Sequence, residues 1–91
     1  MNVLNVSIPE HPKLKVRINR AAEVIWEGEA ESVSSSNANG AFDILPYHIN
    51  FITYLENDKV TVRENSQTHS FDFKQAVLYV ENNILHVYAD I

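Results

Sequence analysis

Lys13-Leu14-Lys15-Val16-Arg17-Ile18 alternates a cation with an aliphatic side chain at every step. Successive side chains of an extended strand point to opposite faces, so this stretch reads as a strand with one buried and one wet face. Working outward, the same period of two recurs. Val60 and Val62 alternate with Lys59, Thr61 and Arg63, and Phe71 and Phe73 flank Asp72. Two apolar runs, Ala76 to Val80 and Ile84 to Ala89, are joined through Glu81-Asn82-Asn83. Asparagine tolerates a positive φ, so Asn82-Asn83 reads as a two-residue hairpin turn. Further breaks at Asn19 to Ala22, Ser35 to Gly40, Glu56 to Asp58 and Asn65-Ser66 recur at the short spacing of a sandwich or barrel. The one stretch that could argue for a helix, Tyr47 to Leu55, is filled with β-formers such as Ile49, Phe51, Ile52, Thr53 and Tyr54.

The 91 residues are expected to form one domain over residues 13–91. Residues 1–12 precede it as an extension. There Val3, Leu4, Val6 and Ile8 read as a short strand or a mobile segment, cut by Pro9 and Pro12. Central positions of the apolar runs give an expected core of Val16, Ile18, Trp26, Ile44, Leu55, Val60, Val62, Phe71, Val80, Leu85 and Val87.

Charge and composition exclude several function classes. The net charge is -5, from 12 acidic and 7 basic residues, which argues against nucleic acid, whose phosphates require a basic surface. With no cysteine, disulfides and thiolate metal sites are excluded. No apolar run approaches the roughly 20 residues that span a bilayer, and the start has neither region of a signal peptide.

No constellation of catalytic residues emerges. His11, His48, His69 and His86 fall on separate elements without a ligand spacing. Ser34, Ser35 and Ser36 lack a nucleophile elbow. Gly28 and Gly40 are the only glycines, too few for a phosphate-cradling loop. No catalytic residue, cofactor, metal or small-molecule substrate is expected. Glu27, Glu29 and Glu31 share one strand face and read as a solvated acidic edge, set opposite the cations of the Lys13 to Arg20 strand. One segment is less ordinary: Gly40-Ala41-Phe42-Asp43-Ile44-Leu45-Pro46-Tyr47-His48. Its proline removes a ladder donor, so Tyr47 and His48 project from a loop, where binding groups tend to sit.

That segment, continued through Ile49-Asn50-Phe51-Ile52-Thr53-Tyr54-Leu55, resembles the Gly-Ile-Leu-Pro-x-His stretch of the epsilon subunit of F-type ATP synthases, in its N-terminal domain. Upstream, Val24 to Val33 looks like that family's Val-x-x-x-Gly-x-Val-x-Ser-Val stretch. Downstream, Leu78-Tyr79-Val80, the Asn82-Asn83 turn and Leu85 to Asp90 are similar to its closing hairpin. The three motifs fall in register from Lys13 to Asp90.

The resemblance implies an all-β fold, a flattened antiparallel β-sandwich or barrel of about 8–10 short strands. It implies a non-catalytic rotor-stalk component that couples ion flow to ATP synthesis, peripheral to the cytoplasmic side of the membrane. One face would grip the gamma subunit, and Leu45, Pro46, Tyr47 and His48 would face the polar loops of the c-ring. The family's C-terminal helical hairpin is not found after Asp90, so its inhibitory and ATP-sensing behaviour is not expected. The chain departs from the family at Ala41, Asp43, Ile49-Asn50 and Lys74-Gln75-Ala76. A stand-alone protein-binding module on the same fold, serving a partner outside ATP synthase, is the alternative. An acidic small-molecule binder has no residues to support it.

Overall fold

The alternation that begins at Leu14 is strand β1, Leu14–Arg20, with Leu14, Val16 and Ile18 buried and Lys15 and Arg17 exposed. The structure, a computed structural model, describes residues 11–90, so the short strand expected between Val3 and Ile8 lies outside the described residues. A turn at Ala21-Ala22 leads to β2 (Glu23–Ala30), which returns antiparallel along β1. Strands β3 (Ser32–Asn37) and β4 (Gly40–Ile44) form a hairpin; its turn ends at Gly40, whose φ of 121° is open to glycine at little cost. Three further strands follow: β5 (Phe51–Glu64), β6 (Gln67–Glu81) and β7 (Ile84–Ala89). The sheet order is β2-β1-β7-β6-β5-β3-β4, and β1 pairs with β7 in parallel where every other described pair is antiparallel.

The described residues thus form an all-β domain of seven strands rather than 8–10 short ones. The difference lies in β5 and β6, of 14 and 15 residues. Glu56-Asn57-Asp58 reads as a break in the sequence, but here the strand continues through it. The pairing Glu56↔Gln75 resumes at Asp58↔Phe73, skipping Asn57 and Lys74, and Asn57 takes a φ of 51°.

This kink changes which side chains point inward. Along β5 the buried positions are Leu55, then Val60 and Val62; along β6 they are Phe73, then Ala76, Leu78 and Val80. A regular strand keeps its parity, so an odd-to-even switch on both strands at one level means that each half turns its apolar face to the same core. The sheet folds over itself accordingly. Trp26 of β2 meets His69 of β6 with ring centroids 5.2 Å apart, although β1 and β7 stand between these two strands in the sheet.

Nine of the eleven expected core residues are buried. Trp26 and Phe71 are not; both are half-buried and pack against the core from its margin. Trp26 lies on an edge strand, with its ring over Gly28. A Cβ on Gly28 would approach the ring to 2.9 Å, so the glycine makes room for the indole. Of the Phe71–Phe73 pair, stacked at 6.4 Å, it is Phe73 that is buried. Leu14, Ala30, Val33, Ala76, Leu78 and Ala89 complete the interior. Ser35, the one buried polar residue among the described residues, donates to the Lys59 carbonyl at 2.9 Å and so brings no unmet polar group inside.

Candidate functional site

The segment between β4 and β5 leaves the sheet at Leu45. His48 N–H donates to the Leu45 carbonyl at 3.1 Å, which makes Leu45-Pro46-Tyr47-His48 a β-turn. Pro46 stands at the second position, where its fixed φ suits the turn. Tyr47 stands at the third with φ of 63°, where glycine or asparagine is usual. A bulky residue in this left-handed region is strained. The Tyr47 N–H is held by the Asn83 side-chain oxygen at 2.7 Å. Asn83 also donates to the Lys13 carbonyl at 2.9 Å, and its own carbonyl accepts from Lys15 N–H at 3.2 Å. The expected Asn82-Asn83 turn is present, with φ of 53° and 63°. It fixes the β4–β5 loop to the end of β1 as well as joining β6 to β7.

What this loop presents is apolar. Leu45 is 56% exposed, Tyr47 60% and Ile49 79%. Pro46 and His48 are half-buried. The His48 ring packs edge-on against Phe51 at 5.8 Å, and its Nδ1–H donates to the Ile49 carbonyl at 2.7 Å. In the neutral ring that bond fixes the tautomer and leaves Nε2 as an acceptor. Thus the four residues singled out by sequence are brought together on one turn. Leu45 and Tyr47 face solvent while His48 supports the turn from within.

A second surface was not marked in the sequence. It is the outward face of β5, β6 and β7, where Ile52 pairs with Tyr79 and Tyr79 with His86, and Tyr54 pairs with Val77 and Val77 with Tyr88. Tyr79, His86 and Tyr88 stack, with centroids 4.7 Å apart for Tyr79–His86 and 6.1 Å for each of the other two pairs. Hydrogen bonding with the Tyr88 hydroxyl, then partial burial and the nearby charge of Glu81, pushes the Tyr79 phenol above its ordinary value. The signal that could have revealed this face is the polar-looking half of each alternation, which in β6 and β7 carries tyrosines and a histidine rather than charges.

The other candidates resolve into structural roles. Arg17 lies 3.6 Å from Glu27, and Lys15 stands opposite Glu29, the cross-strand charge pairing expected of β1 and β2. Ser34, Ser35 and Ser36 donate to Asp43, the Lys59 carbonyl and Asp58, none of them a histidine. His69 contacts Glu64 at 3.0 Å. Among the described residues no three His, Asp or Glu side chains form a metal-holding group, and no helix is long and apolar enough to cross a membrane.

The profile of the family described as ATP synthase, Delta/Epsilon chain, beta-sandwich domain matches residues 13–91. The ATP synthase epsilon chain of Hydrogenovibrio crunogenus is 30% identical over 77 residues, covering 85% of this chain and 54% of that one. The epsilon chain of Caulobacter vibrioides is 36% identical over 50 residues, 55% of this chain and 58% of that one. The chain therefore spans about half the length of the curated relatives it matches. In fold it is similar to a chain of the Euglena gracilis mitochondrial ATP synthase structure (OSCP/F1/c-ring, rotational state 1), with a TM-score of 0.80 at 10% identity, covering 98% of this chain and 59% of that one. A chain of the Tetrahymena thermophila mitochondrial central stalk and c-ring structure gives 0.73 at 9% identity, over 91% and 67%.

Proposed function

Because the chain belongs to the family of ATP synthase delta/epsilon-chain β-sandwich domains, we propose that it is a non-catalytic component of an ATP synthase rotor stalk. It links the gamma subunit to the c-ring and passes on torque mechanically, peripheral to the cytoplasmic side of the membrane. Leu45, Pro46, Tyr47 and His48 form the end that meets the c-ring. The observation that carries this reading is the loop itself. Its backbone is anchored through Asn83 to β1 and the β6–β7 turn, while Leu45, Tyr47 and Ile49 stay exposed. A loop fixed at its base and apolar at its tip is pre-organised for a partner, since little ordering entropy remains to be lost on docking. His48 Nε2 adds an acceptor for a polar c-ring group.

The test is reconstitution of the purified chain with gamma and a detergent-solubilised c-ring from the same organism. Co-migration with both supports the reading, and loss of the c-ring alone on replacing Leu45 and Tyr47 by Ala supports the loop assignment. Absence of binding to either component would leave a stand-alone protein-binding module.

A further inference from the structure

The first half of β5 has an open ladder edge. Among the described residues, 51–56 pair with β6 on one side, whereas β3 meets β5 only at Thr61, Val62 and Arg63. Asn37, at the end of β3, reaches this half with its side chain alone, donating from Nδ2 to Thr53 Oγ1 at 2.9 Å. A gap of about 220 Å³ lies between Asn37-Ala38 and the side of β5 at Tyr54, Glu56 and Asp58. The β3–β4 hairpin therefore does not close the edge.

An unpaired ladder is a template for another chain, and natural edges guard against it with charge, lysine, proline, bulges or shortness. The outermost strands of this sheet carry such guards. Strand β2 exposes Glu23, Glu27 and Glu29, and its pairing with β1 shifts register at Ile18-Asn19; β4 has five residues and exposes Asp43. Residues 51–56 read Phe-Ile-Thr-Tyr-Leu-Glu, with no lysine, proline or glycine and a single charge. Four β-formers stand in a row there, and short segments of that kind pair most readily.

The same stretch is complementary to itself. Ile52 and Tyr54 are exposed on the outward face, while Phe51, Thr53 and Leu55 turn inward. Laid antiparallel on its own copy, about a two-fold axis through Thr53, the strand keeps this parity. Ile52 then stands opposite the copy's Tyr54, Phe51 opposite its Leu55, and Thr53 opposite its Thr53, all favourable cross-strand pairs. Glu56 falls opposite Asn50, so no like charges meet. Ile52 pairs with Tyr79 and Tyr79 with His86, while Tyr54 pairs with Val77 and Val77 with Tyr88. One outward row would thus run His86, Tyr79 and Ile52 into Tyr54, Val77 and Tyr88 of the copy, uninterrupted by a carboxylate, lysine or arginine. A contact of this isologous kind closes after two copies.

We propose that the free chain dimerises by adding the open edge of β5 to that of a second copy, antiparallel, with Ile52 of each opposite Tyr54 of the other. The main-chain hydrogen bonds of the edge supply the contact, and the Ile52–Tyr54 pairs set its register. This dimer is a state of the chain outside the stalk and does not depend on the stalk reading.

Sedimentation of the purified chain, from micromolar to millimolar concentration, is expected to show a reversible monomer–dimer equilibrium. Hydrogen exchange of the residue 51–55 amides slows as the dimer forms, a readout that needs no variant. Ile52→Lys and Tyr54→Glu each weaken the dimer about tenfold, because each sets a charge against an apolar group twice over. Both side chains are largely exposed, so the variants keep the fold, as thermal melting checks. Mixed together, the two variants form a heterodimer in which the new lysine faces the new glutamate and the remaining Tyr54–Ile52 pair is native. Its affinity returns to within about threefold of wild type. A wild type that stays monomeric throughout overturns the proposal, as does a dimer that neither variant weakens. Weakening by each variant without rescue in the mixture overturns the Ile52–Tyr54 register on which the dimer is built. A chain lacking residues 1–10 that dimerises where the full chain stays monomeric gives the edge to that segment and likewise overturns the proposal.

Discussion

Arg20, at the end of β1, donates from Nε to the Asp90 carboxylate at 3.1 Å, seventy residues away in the chain. The other Asp90 oxygen accepts from the Lys74 and Gln75 N–H groups at 3.2 and 3.3 Å, and Asp90 N–H donates to the Gln75 carbonyl at 2.8 Å. Arg20 itself bonds the Asp72 carbonyl at 2.9 Å and covers the Phe73 ring at 5.0 Å. One carboxylate thus ties the ends of β1 and β7 to β6 at the level where β5 and β6 change parity.

Asp90→Asn keeps a residue that tolerates the φ of 50° at this position but removes the charge. Arg20 is about half exposed, so the loss is modest, about 1 kcal/mol. Asp90→Ala also orphans the Lys74 and Gln75 donors and strains the backbone, and is expected to cost about 2–3 kcal/mol. Urea midpoints of the two variants check both the order and the gap.

This clamp marks the limit of what the sequence discloses. Leu14 to Ile18 and Ile84 to Ala89 announce themselves as strands because their alternation is local. Their parallel pairing, Val16 beside Leu85, is not announced, since it depends on closure between distant segments. Glu56-Asn57-Asp58 reads as a break, yet β5 runs through it with Asn57 at a φ of 51°, because residue type cannot say whether the chain turns back or only switches its inward face. That the chain leaves the sheet between β4 and β5 is legible from Pro46, which removes a ladder donor there. The Ile52–Tyr79 face is not, because tyrosine is amphipathic and its outward placement is decided by pairing.

The two phenylalanines of β6 separate the core from its margin. Phe73 is buried beneath Arg20 while Phe71 is half-buried. Phe73→Ala is expected to cost about 3–5 kcal/mol through the cavity it leaves, against about 1–2 kcal/mol for Phe71→Ala. Leu78→Ala, at the centre of β6, belongs with the first, at about 2–5 kcal/mol. Denaturation curves showing the two phenylalanine variants equal would refute this ordering.

Trp26 is the only tryptophan, and its ring rests on His69, 5.2 Å away. His69→Ala uncovers the indole without touching the buried core, so emission shifts to longer wavelength and acrylamide quenching rises. The melting temperature falls by only a few degrees, as for a loss of about 1 kcal/mol. Unchanged emission would mean that the two layers do not meet at this contact.

Tyr79 couples the aromatic face to alkaline pH. Its folded pKa is raised above the unfolded value of 10.0, so the fold favours the protonated phenol. That contribution is fully present below pH 10.0. Above it the unfolded chain ionises first, and stability falls as pH rises towards the folded pKa. Tyr79→Phe removes the titration and is expected to flatten the alkaline limb of stability against pH, with no change at neutral pH in the slope. A limb identical to wild type would place the alkaline loss at other groups.

Tyr47 offers a separation of stability from binding. Its φ of 63° costs an L-residue about 1–2 kcal/mol, and among the described residues no hydrogen bond of its side chain offsets this, the ring being 60% exposed. Tyr47→Gly relieves the strain at the expense of about 0.5–1 kcal/mol of extra backbone freedom in the unfolded chain. The Asn83 bond to the residue 47 N–H is kept, because it is made to the backbone. The net expectation is a domain more stable by about 0.5 kcal/mol. If the ring is held outward for a partner, the same change weakens capture of the c-ring tenfold or more, whereas Tyr47→Phe, which keeps the ring and the strain, retains most of it. A variant that gains stability while losing its partner identifies strain kept for function. Tyr47→Gly that gains stability and binds the c-ring as wild type does would remove Tyr47 from the docking loop and leave its conformation a consequence of the turn alone.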